Sequence, residues 1–166
     1  MYFKEMKRGE KMKGLTFEMK NEYGKKQVDI LVDIVEPSWY WSIGPGESYK
    51  REKGGLGPAF FPPNSIIDGQ SFLNLISSEE YYLIFADLKA FPTQESVVEV
   101  NNHEDFLKSS CQLALLVIDS NYVSIILKEQ QMVHKFFERA KSAGYTNIKF
   151  LTDENEVDSL FTVWGS

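Results

Sequence analysis

Leu15, Phe17 and Met19 are apolar while Thr16 and Glu18 between them are polar, a two-residue period that predicts an opening strand with one buried face. Val28, Leu31, Val32 and Val35 recur at i, i+3, i+4 and i+7, so the spacing predicts a helix over 25–35, stopped by Pro37. Residues 38–43 alternate again, with Trp39, Trp41 and Ile43 on one face and Ser38, Tyr40 and Ser42 on the other, and predict a second strand. Residues 44–63 hold so many glycines and prolines that no regular element is expected, and a long ordered loop there would be a functional candidate.

Beyond the loop, Asp68 reads as the N-cap of a short helix carrying Phe72, Leu73, Leu75 and Ile76. Residues 81–90 are apolar enough for an internal strand, 97–100 form a candidate short strand, and Asn102 can cap a short helix through Leu107. Apolar runs at 113–118 and 122–127 flank Asp119-Ser120-Asn121, a hairpin signal. Val133, Phe136, Phe137 and Ala140 share one face of a helix that begins near Glu129 and stops at Gly144. A last strand includes Ile148, Phe150 and Leu151, and Thr152-Asp153 caps a final acidic helix reaching Phe161. This order lacks the regular alternation of a doubly wound fold. It predicts an α+β protein, a mixed and largely antiparallel sheet with helices packed against it, whose core includes Phe85, Leu115, Val117, Ile125, Phe136 and Phe137.

Composition narrows the classes. The chain has 166 residues, the size of one domain, and a formal charge of −6. Residues 1–11 carry four of the Lys/Arg and two of the Asp/Glu, which leaves 14 against 22, or −8, on residues 12–166. The codons for Arg8-Gly9-Glu10-Lys11 can form a purine tract of the ribosome-binding kind ahead of Met12, so residues 1–11 are expected to be a non-native or flexible extension to a single domain at 12–166. The longest aliphatic run, Leu113 to Ile118, falls far short of the roughly 20 residues of a membrane-spanning helix, and the N-terminus lacks a signal-peptide core. With Cys111 as the lone cysteine, a cytoplasmic location is expected. The acidic balance disfavours a nucleic-acid backbone and favours a basic protein as partner.

The residues Asn21-Glu22-Tyr23-Gly24, Trp41-Ser42-Ile43-Gly44 with Gly46-Glu47, Ile66-Ile67-Asp68-Gly69, the block from Tyr81 to Ala90, Cys111-Gln112-Leu113, Asp119 to Val123, and Thr152 to Asn155 together resemble an uncharacterised family of small Bacillus-type proteins, a domain of unknown function. The resemblance covers most of 12–160 and implies a bacterial origin. It carries no activity and no site residues.

Candidate chemistry is sparse. Gly54-Gly55-x-Gly57 beside Arg51 and Lys53 lacks the following helix a phosphate loop needs. Asp68 with Asp87-x-Lys89 resembles a nuclease set only faintly, and an Asp87–Lys89 ion pair at a sheet edge is the simpler reading. His103 reads as a polar residue in a first helical turn, His134 as a boundary residue and Cys111 as a small hydrophobe. No catalytic residue, metal ligand or cofactor is expected. The binding candidates are the aromatics Trp39, Tyr40, Trp41 and Tyr49, grouped with Phe60 and Phe61 beside the Gly/Pro-rich stretch, together with Asp87; core packing is the competing reading of the aromatics. The expectation is an acidic, non-enzymatic protein-interaction module of an immunity or inhibitor kind, and its alternative is a small-ligand-binding protein or weak hydrolase.

Overall fold

The computed structural model describes residues 11–20, 28–78 and 80–162. Its strands are β1 (Gly14–Glu18), β2 (Tyr40–Ile43), β3 (Glu47–Glu52), β4 (Gly55–Ala59), β5 (Ser65–Asp68), β6 (Tyr81–Phe91), β7 (Leu113–Ile118), β8 (Tyr122–Leu127) and β9 (Thr146–Leu151). The helices are α1 (Gly69–Ser78), α2 (His103–Lys108), α3 (Gln130–Ser142) and α4 (Glu154–Thr162).

These strands form one sheet in the order β4-β3-β6-β7-β8-β1-β9. Every pairing in it is antiparallel. The fold is α+β, as the element order predicts. β6 is internal, bordered by β7 on one side and by both β2 and β3 on the other, and the hairpin of β7 and β8 pairs with itself from Leu113↔Leu127 to Ile118↔Tyr122. Asp119 and Ser120 turn it in left-handed conformations, at φ 50° and 67°.

Period-two alternation sends the two halves of each strand to different helices. Leu113, Leu115, Val117, Val123 and Ile125 join a core with α1 and α3, whereas Ala114 and Ile126 join a second cluster with Phe106 of α2 and Val157 and Phe161 of α4. Both faces of one sheet are therefore covered, and β7 and β8 are apolar at nearly every position because they serve both. Among the described residues no helix is long and apolar enough to cross a membrane.

Helix ends follow the local chemistry. Asp68 accepts hydrogen bonds from Ser71 N at 2.9 Å and Ser71 Oγ at 2.8 Å, which hold its carboxyl below the usual range. Asn102 accepts from Asp105 N at 2.7 Å, Asp153 from Asn155 N at 2.8 Å, and Gly144 ends α3 at φ 79°.

Four expectations need correction. Within the described part of 25–35 there is a single 3-10 turn, Asp29–Leu31, and residues 25–27 lie outside the described residues. The periodic apolar side chains Val28, Leu31 and Val35 are buried as predicted, but Asp33 at φ 74° diverts the chain before a helix can propagate. Residues 44–63 are not a loop: they contain β3, β4 and their turn at Lys53-Gly54. Counting breakers failed because several sit where strands tolerate or need them: Gly54 turns the hairpin at φ 95°, and Pro58 lies on an edge strand. Residues 97–100 pair with no strand; Val100 is buried against the second cluster. Phe85 is only partly buried, for a reason that shapes the candidate site.

Candidate functional site

β6 contains a bulge. Its register against β3 passes from Glu47↔Phe85 to Ser48↔Leu83, skipping Ile84. The buried set therefore changes phase along the strand, from Tyr81 and Leu83 to Ala86, Leu88 and Ala90. Asp87 consequently shares its face with Phe85 and Lys89, not with Leu83 as uninterrupted alternation would have it. That places the carboxylate opposite the larger core. It is held by Lys89 Nζ at 2.9 Å, with both side chains mostly buried. The ion pair of the simpler reading is present, but on an internal strand instead of a sheet edge.

Across from the bulge, Gly44-Pro45-Gly46 separates β2 from β3. Gly44 N donates to Asp87 O at 2.8 Å. A Cβ at Gly44 would stand 2.8 Å from Asp87 Oδ2, and one at Gly46 would stand 2.6 Å from Phe85 O, so only glycine lets the chain come this close. Beside this break lies a cavity of about 150 Å³, lined by Gly44, Glu47, Tyr49, Phe61, Phe85 and Asp87 among others. Tyr49 Oη donates to Glu47 Oε2 at 2.7 Å, and that bond raises the phenol above its ordinary range. On the other side of Asp87 and Lys89 a more open cleft runs under Val97 and Val98 toward Asn101.

Of the sequence candidates, Tyr49 and Asp87 meet in the cavity. Trp39 and Trp41 do not: they are 7 % and 0 % exposed and belong to the core. Trp41 stacks on Phe72 with centroids 4.1 Å apart, Phe72 stacks on Phe61, Phe61 meets Phe60 at 4.8 Å, and Phe60 stacks on Tyr81 at 4.4 Å. The aromatic group is thus a packed run joining β2, α1, β6 and the link between β4 and β5. Tyr40 is partly buried at the far end of β2, opposite Asp68 and Phe91. Glu47, not among the binding candidates, and Phe85, expected in the core, also line the cavity. The signal for them was Gly44-Pro45-Gly46-Glu47, where two glycines beside an acid mark a close backbone approach.

A second feature lies on α2 and α4, which pack against one another. These helices and the cap before α4 carry six carboxylates, Glu104, Asp105, Asp153, Glu154, Glu156 and Asp158, and Lys108, already tied to Glu104 at 2.7 Å, is their only Lys or Arg. Asp158 accepts from His103 N at 2.8 Å, and His103 Nδ1 lies 3.5 Å from Glu154 Oε1. His103 occupies a first helical turn as expected, but it is buried there. His134 is exposed, its ring edge-on to Phe150.

Cys111 is 0 % exposed, its thiol donating to Leu113 O at 3.4 Å, and burial pushes its pKa up to about 11. Native protein should leave it unmodified by a thiol reagent that labels it at once on unfolding. Because the folded pKa is raised, the unfolded chain loses this proton first. The resulting stability is intact below pH 9 and is lost as pH climbs to about 11. Over that range wild type should lose about 3 kcal/mol more than Cys111→Ala, and parallel pH profiles of the two would refute the assignment. Among the described residues no group of three His, Cys, Asp or Glu side chains is placed to hold a metal ion.

Residues 12–162 match the family described as protein of unknown function DUF2691. The chain belongs to that family. It is similar to the uncharacterised protein YncE of Bacillus subtilis strain 168, at 35% identity over 152 residues that cover 91% of this chain and 99% of that one. No solved structure matches it. Family membership bears out the resemblance read from the sequence and assigns no activity.

Proposed function

We propose that the protein is an acidic, non-enzymatic interaction module whose partner is a basic protein. The observation that carries this reading is the acidity of α2, α4 and the cap before α4, six carboxylates and one already paired lysine on a chain of charge −6. Such a field raises the encounter rate with a cationic surface and repels a phosphate backbone. Recognition by Trp39 and Trp41 is not part of the proposal, because both are core residues.

The test is affinity capture from bacterial cytosol, with captured proteins identified by mass spectrometry. One basic protein should dominate, its yield falling with salt and roughly tenfold or more with the combined charge reversals Glu104→Lys, Glu154→Lys and Glu156→Lys. Nucleic acid in its place, or capture indifferent to salt and to the reversals, would sink the reading.

The small-ligand or weak-hydrolase reading rests on the cavity beside Asp87. On the side of Tyr49 and Phe85 the space is about 150 Å³, below the roughly 300–1,000 Å³ of ordinary ligand pockets, whereas the more open cleft on the other side of Asp87 is about 370 Å³; in both, Asp87 is already engaged by Lys89. The smaller volume suits one side chain better than a metabolite.

A further inference from the structure

The cavity at the β2–β3 break combines three properties that define an occupant. Asp87 in its lining has unequal carboxylate oxygens: the side chain is 11 % exposed, Oδ1 is fixed by Lys89, and Oδ2 lies close to Gly44, where the missing Cβ would have stood 2.8 Å away. Phe61, Phe85 and Tyr49 also line it, and the exposed Glu47 adds a second acid. Its volume of about 150 Å³ is space for a short chain of heavy atoms.

We infer that this slot receives one primary-ammonium side chain, that of a lysine on the basic partner; the inference rests on the interaction-module reading and deepens it. A cation is favoured by the two acids in the lining, and an aliphatic stem suits the apolar residues beside them, Phe61 and Phe85. An ammonium fits better than a guanidinium, because a bidentate fork needs both oxygens of one carboxylate and Lys89 holds one of Asp87's. A divalent metal is a poor match, since two carboxylates fall far short of the six or more oxygens a hard cation gathers.

The probe is n-butylammonium chloride, titrated into isotopically labelled full-length protein at constant ionic strength and followed by amide NMR. Saturable shifts are expected at Gly44, Gly46 and Glu47, with affinity about tenfold weaker for n-butylguanidinium and for neutral n-pentanol. Asp87→Asn should abolish the saturable shifts. Lys89→Gln should tighten binding about threefold or more by freeing the second oxygen of Asp87, a change that a purely structural ion pair would not produce. Should Asp87→Asn fail to fold, Glu47→Gln should still weaken the ammonium and leave n-pentanol unchanged.

Equal shifts with n-pentanol, absence of saturation, or indifference to Asp87→Asn would overturn the slot. If the basic protein is still captured in that case, the interaction reading survives without the slot. Ammonium binding by a chain that captures no basic protein would sink the interaction reading and leave a cation-binding cavity.

Discussion

Trp41→Ala is expected to lower the free energy of unfolding by about 3–5 kcal/mol, the range for emptying a large aromatic site that cannot collapse. Three features make collapse unfavourable here. The indole is completely buried, it stacks on Phe72 at 4.1 Å and 12°, and its strand is hydrogen-bonded on both sides, by β5 and β6. Trp41→Phe should be much milder, within about 1.5 kcal/mol, because the loss of part of the ring is offset by removing a buried donor. The Nε1–H of Trp41 is buried and has no acceptor among the described residues. Urea unfolding of both variants measures the pair of values. A loss under about 1 kcal/mol for the alanine variant, or weakened partner capture with unchanged stability, would return Trp41 to the binding surface.

Gly69→Ala should be nearly as damaging, costing roughly 3 kcal/mol or more through overpacking against rigid atoms. A Cβ at residue 69 would lie 2.2 Å from Pro37 O and 2.4 Å from Trp39 O, both main-chain oxygens that no rotamer change can move. The site is constrained from both directions. Asp68 still pairs with Tyr40 as the last residue of β5, and Gly69 already begins α1, so strand gives way to helix in one step against the chain entering β2. Gly54→Ala is the informative control: it suffers an unfavourable φ of 95° but has no atom within 4 Å, and should cost only about 1–2 kcal/mol. Equal costs for the two substitutions would mean that the contact with residues 37–39 is not held in solution.

Much of the architecture is written in local pattern. The alternation at β1 and β2, the hairpin signal between β7 and β8, the apolar stripe of α3 and the caps at Asp68, Asn102 and Asp153 all act over a few residues, so the sequence shows them directly. The α+β class and the internal position of β6 follow from the order and apolarity of those elements. Acidity and membership of a family without assigned activity were likewise present in the chain itself.

Only the tertiary structure decided the rest, because it depends on which distant segments meet. An aromatic run reads the same whether it lines a surface or a core; contact with Phe72 of α1 and Tyr81 of β6 is what buries Trp41 and Phe60. Glycine and proline at 44–63 read as loop until β6 lies alongside, when Gly44 and Gly46 become points of close approach and residues 47–59 a hairpin. Asp87 changes face through one bulged residue at Ile84, a one-position slip that period-two alternation turns into a reversal of side, and it lines the cavity with Tyr49 and Glu47.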